Sequence, residues 1–207
     1  MELIEKYFPA LTPLQYERFM ALRGLYEEWN ARINVISRKD MGHFCTRHVL
    51  HSLAIARVCE FGAGAEVMDV GSGGGFPGVP LAILFPQSRF TCVDSIGKKV
   101  TVMREVVERL GLDNVTPLNM RAEQMSGQFD YVVSRAVADV ATLVGWTWRS
   151  IVREQAGTLP NGLLLLKGGD LSAELAAAGR DYTLYNIGDF FPDEEFFETK
   201  KVVFIPK

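Results

Sequence analysis

The sequence predicts an α/β protein: a doubly wound, mostly parallel sheet, preceded by helices and closed by an antiparallel strand pair. Three observations point there. From about residue 65 onward, short apolar strands alternate with helical patterns, as in a parallel sheet built by crossover connections. The first of these strands, Val67-Met68-Asp69-Val70, runs into the small-residue turn Gly71-Ser72-Gly73-Gly74-Gly75-Phe76-Pro77-Gly78. Near the end, two apolar runs at 182–187 and 200–205 flank the acidic turn Pro192-Asp193-Glu194-Glu195.

The elements follow in order. Thr12-Pro13-Leu14-Gln15 has the form of a capping box with proline at the first helical position, so a helix starts there. Phe19, Leu22, Tyr26, Trp29 and Ile33 recur at helical spacing and give that helix one apolar face. A second helix is predicted over 46–60, ended by Gly62-Ala63-Gly64. Residues 1–64 thus form a helical segment packed on a sheet unit spanning 65–207. Strands are predicted at 66–70, 89–94, 115–119, 131–134 and 162–167, with helices at 76–85, 98–110, 138–151 and 171–178.

Composition narrows the function. With 207 residues, 48% hydrophobic and 23% charged, the chain can bury one good core with an accessory segment. A net charge of −3 argues against coating nucleic acid by bulk electrostatics, so any such contact needs a local basic patch. Cys45, Cys59 and Cys92 are isolated and read as reduced core thiols; no metal-ligand spacing is present. The acidic start Met1-Glu2-Leu3-Ile4-Glu5-Lys6 and the lack of a spanning apolar run predict a cytoplasmic protein.

The glycine turn admits two registers. Gly73, Gly75 and Gly78 satisfy G-x-G-x-x-G, the dinucleotide fingerprint that brings a pyrophosphate to a helix N-terminus. Asp69, Val70, Gly71, Gly73 and Gly75 satisfy acidic-apolar-Gly-x-Gly-x-Gly, which resembles motif I of class I S-adenosyl-L-methionine (SAM) methyltransferases, a Rossmann-like fold. An NAD(P)-dependent oxidoreductase therefore stands beside a methyltransferase. The oxidoreductase would need a proton-transfer residue near the hydride acceptor, and none stands out.

Ligands of such sheets lie at the carboxyl ends of the strands. Asp94 closes the second strand and can accept from both ribose hydroxyls, or can cap the following helix together with Ser95. Ala122 and Glu123 follow the third strand, either beside an adenine edge or as a solvated turn. Arg135 ends the fourth strand and Lys167 the fifth; two cations there suggest an anionic substrate, against a salt bridge of Arg135 with Asp130 or Asp69. The Asn/Asp-Pro-Pro-aromatic loop of exocyclic-amine methyltransferases is absent from the fourth strand end, as is a Pro-Cys nucleophile.

Trp29-Asn30, Asn34-Val35-Ile36-Ser37-Arg38, Arg47-His48-Val49-Leu50, the loop from Asp69 to Gly78, Asp94-Ser95 with Lys98-Lys99, Ser134-Arg135-Ala136 and Leu166-Lys167-Gly168 occur in that order. Together they resemble the bacterial ribosomal RNA small subunit methyltransferase G family, also called glucose-inhibited division protein B. The resemblance implies use of SAM to methylate N7 of a guanosine in the 530 loop of 16S ribosomal RNA; the expected partner is that RNA within the small ribosomal subunit or an assembly intermediate, and a monomer is expected. It further implies that Gly71, Gly73 and Phe76 border SAM, that Ala122 and Glu123 hold its adenine, and that Arg135 lies where cofactor and substrate meet. Asp94 joins them on the ribose argument alone. Arg38, Arg47, His48, Lys98, Arg135 and Lys167 are the expected RNA contacts, against the plain reading of charge runs as solvated faces. One departure is His51, where the family usually has an acid. Guanine N7 carries a lone pair and no proton, so this chemistry needs alignment more than a general base.

Overall fold

The computed structural model describes residues 2–207, except the side chain of Arg38, which lies outside the described residues. Helix α1 (Glu2–Tyr7) precedes α2 (Pro13–Asn30), and the capping box that starts α2 is present. Thr12 Oγ1 accepts from the Gln15 amide at 3.3 Å, and Gln15 Oε1 accepts from the Thr12 amide at 2.9 Å. Gln15 Nε2 also donates to the carbonyls of Ile83 and Leu84 at 3.0 and 2.9 Å, which pins α2 to the sheet unit. Phe19, Leu22 and Tyr26 are buried there, and each large side chain removed from water contributes about 1.5–3 kcal/mol.

After α3 (Arg38–Met41) the chain departs from expectation. In place of one regular helix over 46–60 there is a π-helical turn (Cys45–Leu50), a short α4 (His51–Leu53) and a 3-10 turn (Ala54–Arg57). A π turn carries more than 3.6 residues, so a count of apolar spacing cannot register it, and such turns recur at functional sites.

The sheet holds seven strands in the order β3-β2-β1-β4-β5-β7-β6: β1 (Glu66–Val70), β2 (Arg89–Asp94), β3 (Val115–Asn119), β4 (Tyr131–Arg135), β5 (Gly162–Gly168), β6 (Thr183–Asn186) and β7 (Lys200–Pro206). The first five run parallel, and β7 pairs antiparallel with both β5 and β6. Helices α5 (Gly78–Leu84) and α6 (Gly97–Arg109) pack on one face with α2; α7 (Val140–Thr147) and α8 (Ser172–Ala178) cover the other. Alternation along the strands decides which core each residue joins: Val67 and Val133 face the first, Met68 and Val132 the second. Helix α5 starts later than predicted because Phe76 and Pro77 belong to the turn. Helix α7 starts at 140 because Asp139 caps it, accepting from the Thr142 amide at 2.8 Å.

Candidate active site

The turn after β1 lies at the carboxyl edge of the sheet, and the amides of Gly71, Ser72, Gly73, Gly75 and Phe76 are already occupied. Those of Gly71 and Ser72 donate to the Val93 carbonyl (2.8 and 3.1 Å), and those of Gly75 and Phe76 to the Ser72 carbonyl (2.7 and 2.8 Å). The Gly73 amide donates to Asp94 Oδ2 at 2.8 Å. At the start of α5, the Gly78 amide donates to Asp69 Oδ2 at 2.7 Å, Val79 and Leu81 bond to Gly75 and Pro77, and Pro80 has no amide hydrogen. A dinucleotide pyrophosphate needs such donors. Here the carboxylates of Asp94 and Asp69 take the Gly73 and Gly78 amides.

Two glycines carry this geometry. Gly71 has φ +67, and a Cβ there would lie 2.2 Å from Val137 Cγ2. At Gly78 a Cβ would come within 2.5 Å of Cys92 Sγ and 2.8 Å of Asp69 Oδ2. Asp69 is fully buried; its Oδ1 has no partner, and burial pushes its carboxyl up to about 7, opposed by the Gly78 amide and by Arg135.

Two cavities open at this edge. The first, about 280 Å³, lies between the ends of β1, β2, β3 and β4, with Gly71, Asp94, Ala122 and Glu123 in its wall and Ile96, Val137 and Trp146 as apolar faces. Asp94 Oδ1 accepts from the Ile96 amide and Oδ2 from the Gly73 amide, both at 2.8 Å. Its carboxylate thus ties the glycine turn to the start of α6, while each oxygen keeps a second lone pair. Asp94 is not the cap of α6: the cap residue is Ile96, whose amide Asp94 holds from two residues before it.

The second cavity, about 330 Å³, shares Gly71, Lys99 and Ala136 with the first and adds Gly73, Phe76, His48, His51, Arg135, Phe196 and Lys200. Arg135 makes neither salt bridge weighed from the sequence. Its guanidinium donates to the Arg47 carbonyl at 2.9 Å, meets His48 Nδ1 at 3.1 Å and stacks 5.2 Å from the Phe76 ring centre. Burial pulls its pKa down to about 10, with Asp69 acting in the opposite sense. A guanidinium can only donate, so His48 Nδ1 accepts and Nε2 carries the proton. Burial first and Arg135 second lower His48 to about 4 and His51 to about 3, so both are neutral at pH 7. The next residue, Ala136, has φ +55, a backbone state a non-glycine residue holds only when its surroundings impose it.

The remaining expected RNA contacts part company. Lys167 is a correction: its ammonium bonds the Ala138 carbonyl and Glu174, and its side chain is only 12% exposed, which leaves no face for a phosphate. Arg47 pairs with Asp40 at 2.7 Å and lies 5.5 Å from the ring centre of Phe196, a residue of the second cavity's wall, but lines neither cavity itself. Lys98 is exposed on the first turn of α6, while its neighbour Lys99 lines both cavities. Phe196 and Lys200 went unnoticed in the sequence, since nothing linear distinguishes them from a solvated turn and an edge-strand lysine.

Comparison with known proteins bears on what this edge does. Residues 15–192 match the family model described as rRNA small subunit methyltransferase G. The chain belongs to that family. It is 51% identical over 209 residues to the ribosomal RNA small subunit methyltransferase G of Christiangramia forsetii, covering all of this chain and 97% of the relative. Against the protein of the same name from Bacteroides fragilis it is 53% identical over 205 residues, covering 99% of both. Among solved structures the fold is similar to a SAM-dependent methyltransferase from Aquifex aeolicus (TM-score 0.59, 15% identity, 78% of this chain and 92% of that one). It is also similar to a precorrin-6y C5,15-methyltransferase from Geobacter metallireducens (TM-score 0.57, 11% identity, 84% and 92%). SAM, the methyl donor of this methyltransferase G chain, fits the residues present. The first cavity offers the apolar faces of Ile96, Val137 and Trp146 with Asp94 at the end of β2, and the turn beside it leaves few of the amide donors a pyrophosphate requires.

Proposed function

We propose that this protein transfers the methyl group of SAM to N7 of a guanosine in the 530 loop of 16S ribosomal RNA. The observation that carries the donor half is the glycine turn, where the amides of Gly71, Ser72, Gly73, Gly75, Phe76 and Gly78 are bonded internally and leave few donors for the pyrophosphate of NAD. The acceptor half rests on membership of the family, whose members are named for small-subunit rRNA. Bound SAM supplies an electrophilic methyl on sulfur.

The chain's own residues have positional work. Asp94 is assigned to the ribose hydroxyls through its unused lone pairs, and Ala122 and Glu123 to the adenine edge. Gly71, in the wall of the first cavity, is assigned to the border of SAM; Gly73 and Phe76, expected with it, line the second cavity. The strained Ala136 sits at the junction of the two cavities, with Arg135 beside it in the wall of the second, and both are assigned to positioning donor and acceptor. Holding nucleophile, carbon and sulfur in line supplies up to about 7–11 kcal/mol of the barrier. N7 has no proton to lose, so none of these residues is assigned as a base. The protein is assigned to the cytoplasm as a monomer, acting on 16S rRNA within the small subunit or an assembly intermediate. Among the described residues no helix is long and apolar enough to cross a membrane.

Incubation with labelled SAM and 16S rRNA, free and in small subunits, followed by nucleoside mass analysis, tests the whole reading. The expected product is 7-methylguanosine; its absence on every substrate overturns the proposal. Calorimetry with SAM and NAD in separate titrations tests the donor half.

A further inference from the structure

The two cavities differ in charge. The first has Asp94 and Glu123 in its wall against Lys99 and Arg121; the second has Lys99, Arg135 and Lys200 and, among the described residues, no acid. Among the described residues, none of these three cations lies within 4 Å of a carboxylate. The nearby acids are committed elsewhere: Asp69 to the Gly78 amide beneath the turn, Asp40 to Arg47, and Glu194 to Thr46 at 3.3 Å. His48 and His51 add no charge at pH 7, and their Nε2 atoms, with Ser72 Oγ, are buried polar atoms without a partner.

We propose, resting on the reading of the protein as an RNA methyltransferase, that the second cavity binds a backbone phosphate of the RNA beside the target nucleotide, through Lys200 and Lys99. Arg135 contributes charge, but guanidinium hydrogens already go to Arg47 and His48. The two lysines are half-buried and hold no carboxylate, so their ammonium hydrogens are available to an oxyanion. Lys200 Nζ lies 5.1 Å from the Phe196 ring centre, which holds the chain over the cavity without neutralising it. The shared chemistry is that of an oxyanion, and the amino-acid carboxylate of SAM is the other source. Lys200 and Phe196 border only the second cavity, on the wall contributed by the C-terminal segment, and that position favours the RNA.

The test compares wild type with Lys200→Gln, Lys99→Gln and Lys200→Arg. RNA affinity is measured on an unmodified 16S rRNA transcript across a salt series, and SAM affinity by calorimetry. Lys200→Gln should weaken RNA binding roughly tenfold and reduce the slope of log affinity against log salt by about 0.7, the value for one single-strand phosphate contact. SAM affinity should hold, and Lys200→Arg should recover most of the loss. Unchanged RNA affinity and slope in both glutamine variants overturns the proposal. A fall in SAM affinity as large as the fall in RNA affinity also overturns it, because the oxyanion is then the donor's carboxylate. RNA binding needs no turnover, so failure to form 7-methylguanosine counts against the methylation reading and leaves this result intact.

Discussion

The two cavities at the carboxyl edge meet at Gly71, Lys99 and Ala136 yet are built from different material. The first is made almost wholly from the loops that follow β1 to β4, and its acids and cations balance. The second borrows His48 and His51 from the N-terminal helical segment, Arg135 from β4, and Phe196 and Lys200 from the C-terminal segment, and its charge is one-sided. A slot made by consecutive strand-end loops is what a doubly wound sheet supplies to any nucleoside-bearing ligand. A pocket closed by distant segments is where a family departs from its fold class, and here it is the part fitted for an anion.

If the first cavity and its turn serve the donor, the largest effect belongs to Gly71→Ala. The added Cβ meets Val137 at φ +67, and strain plus overpacking of about 3 kcal/mol predicts a fall in SAM affinity of roughly a hundredfold by calorimetry. RNA affinity measured without SAM should change far less; equal losses would erase the distinction between the cavities. Next comes Arg135→Gln, which removes the charge and the link between β4 and the π turn. Single-turnover methylation should drop by about tenfold to a hundredfold, and a rate within twofold of wild type would remove Arg135 from the positioning role.

The second cavity also makes stability depend on pH. His48 and His51 have folded values near 4 and 3, below the ordinary 6.5, so the unfolded chain takes up their protons first. Stability is lost as pH falls from about 6.5 toward 4, by up to about 1.4 kcal/mol per pH unit for each histidine. Asp69, raised to about 7 from 3.8, works the other way: the folded state is protonated first, so stability rises as pH falls through that window. Two histidines outweigh one aspartate, and thermal midpoints should decline toward pH 4.5. His51→Phe should flatten that decline, because His48 and Asp69 then nearly offset each other; an unaltered slope would remove His51 from the balance.

Asp94→Asn should weaken SAM about tenfold, since an amide group would face the Gly73 or Ile96 donor. RNA affinity should stay constant. The smallest effect is expected from Lys98→Ala, an exposed side chain beside neither cavity, with less than a twofold change in RNA affinity. A tenfold loss there would return weight to the outer face of α6.

Much of this architecture was legible in the chain. The strands at 66–70, 89–94 and 115–119 lie where predicted, because each is a short apolar run bounded by turn or helix signals. The start of α2 followed from Thr12 and Gln15, whose cap is a contact across three residues. The irregular stretch over 45–57 was not legible, because a π turn breaks the spacing on which the reading depends. Nor was the fate of Lys167: its neighbour Glu174 stands seven residues on, and only the packing of α8 against the strand end brings the two together.

The sequence by itself determined the sheet, the glycine turn, the strand-end residues of the first cavity and the family. These depend on local spacing and on residues that follow one another along the chain. The tertiary structure alone decided that most of the turn's amides are already bonded, that Arg135 bonds His48 and the Arg47 carbonyl and pairs with no aspartate, and that Lys200 lines the second cavity while Lys167 is held by Glu174. Each of those outcomes depends on which distant group reaches a donor or charge first, and only the folded packing sets that distance.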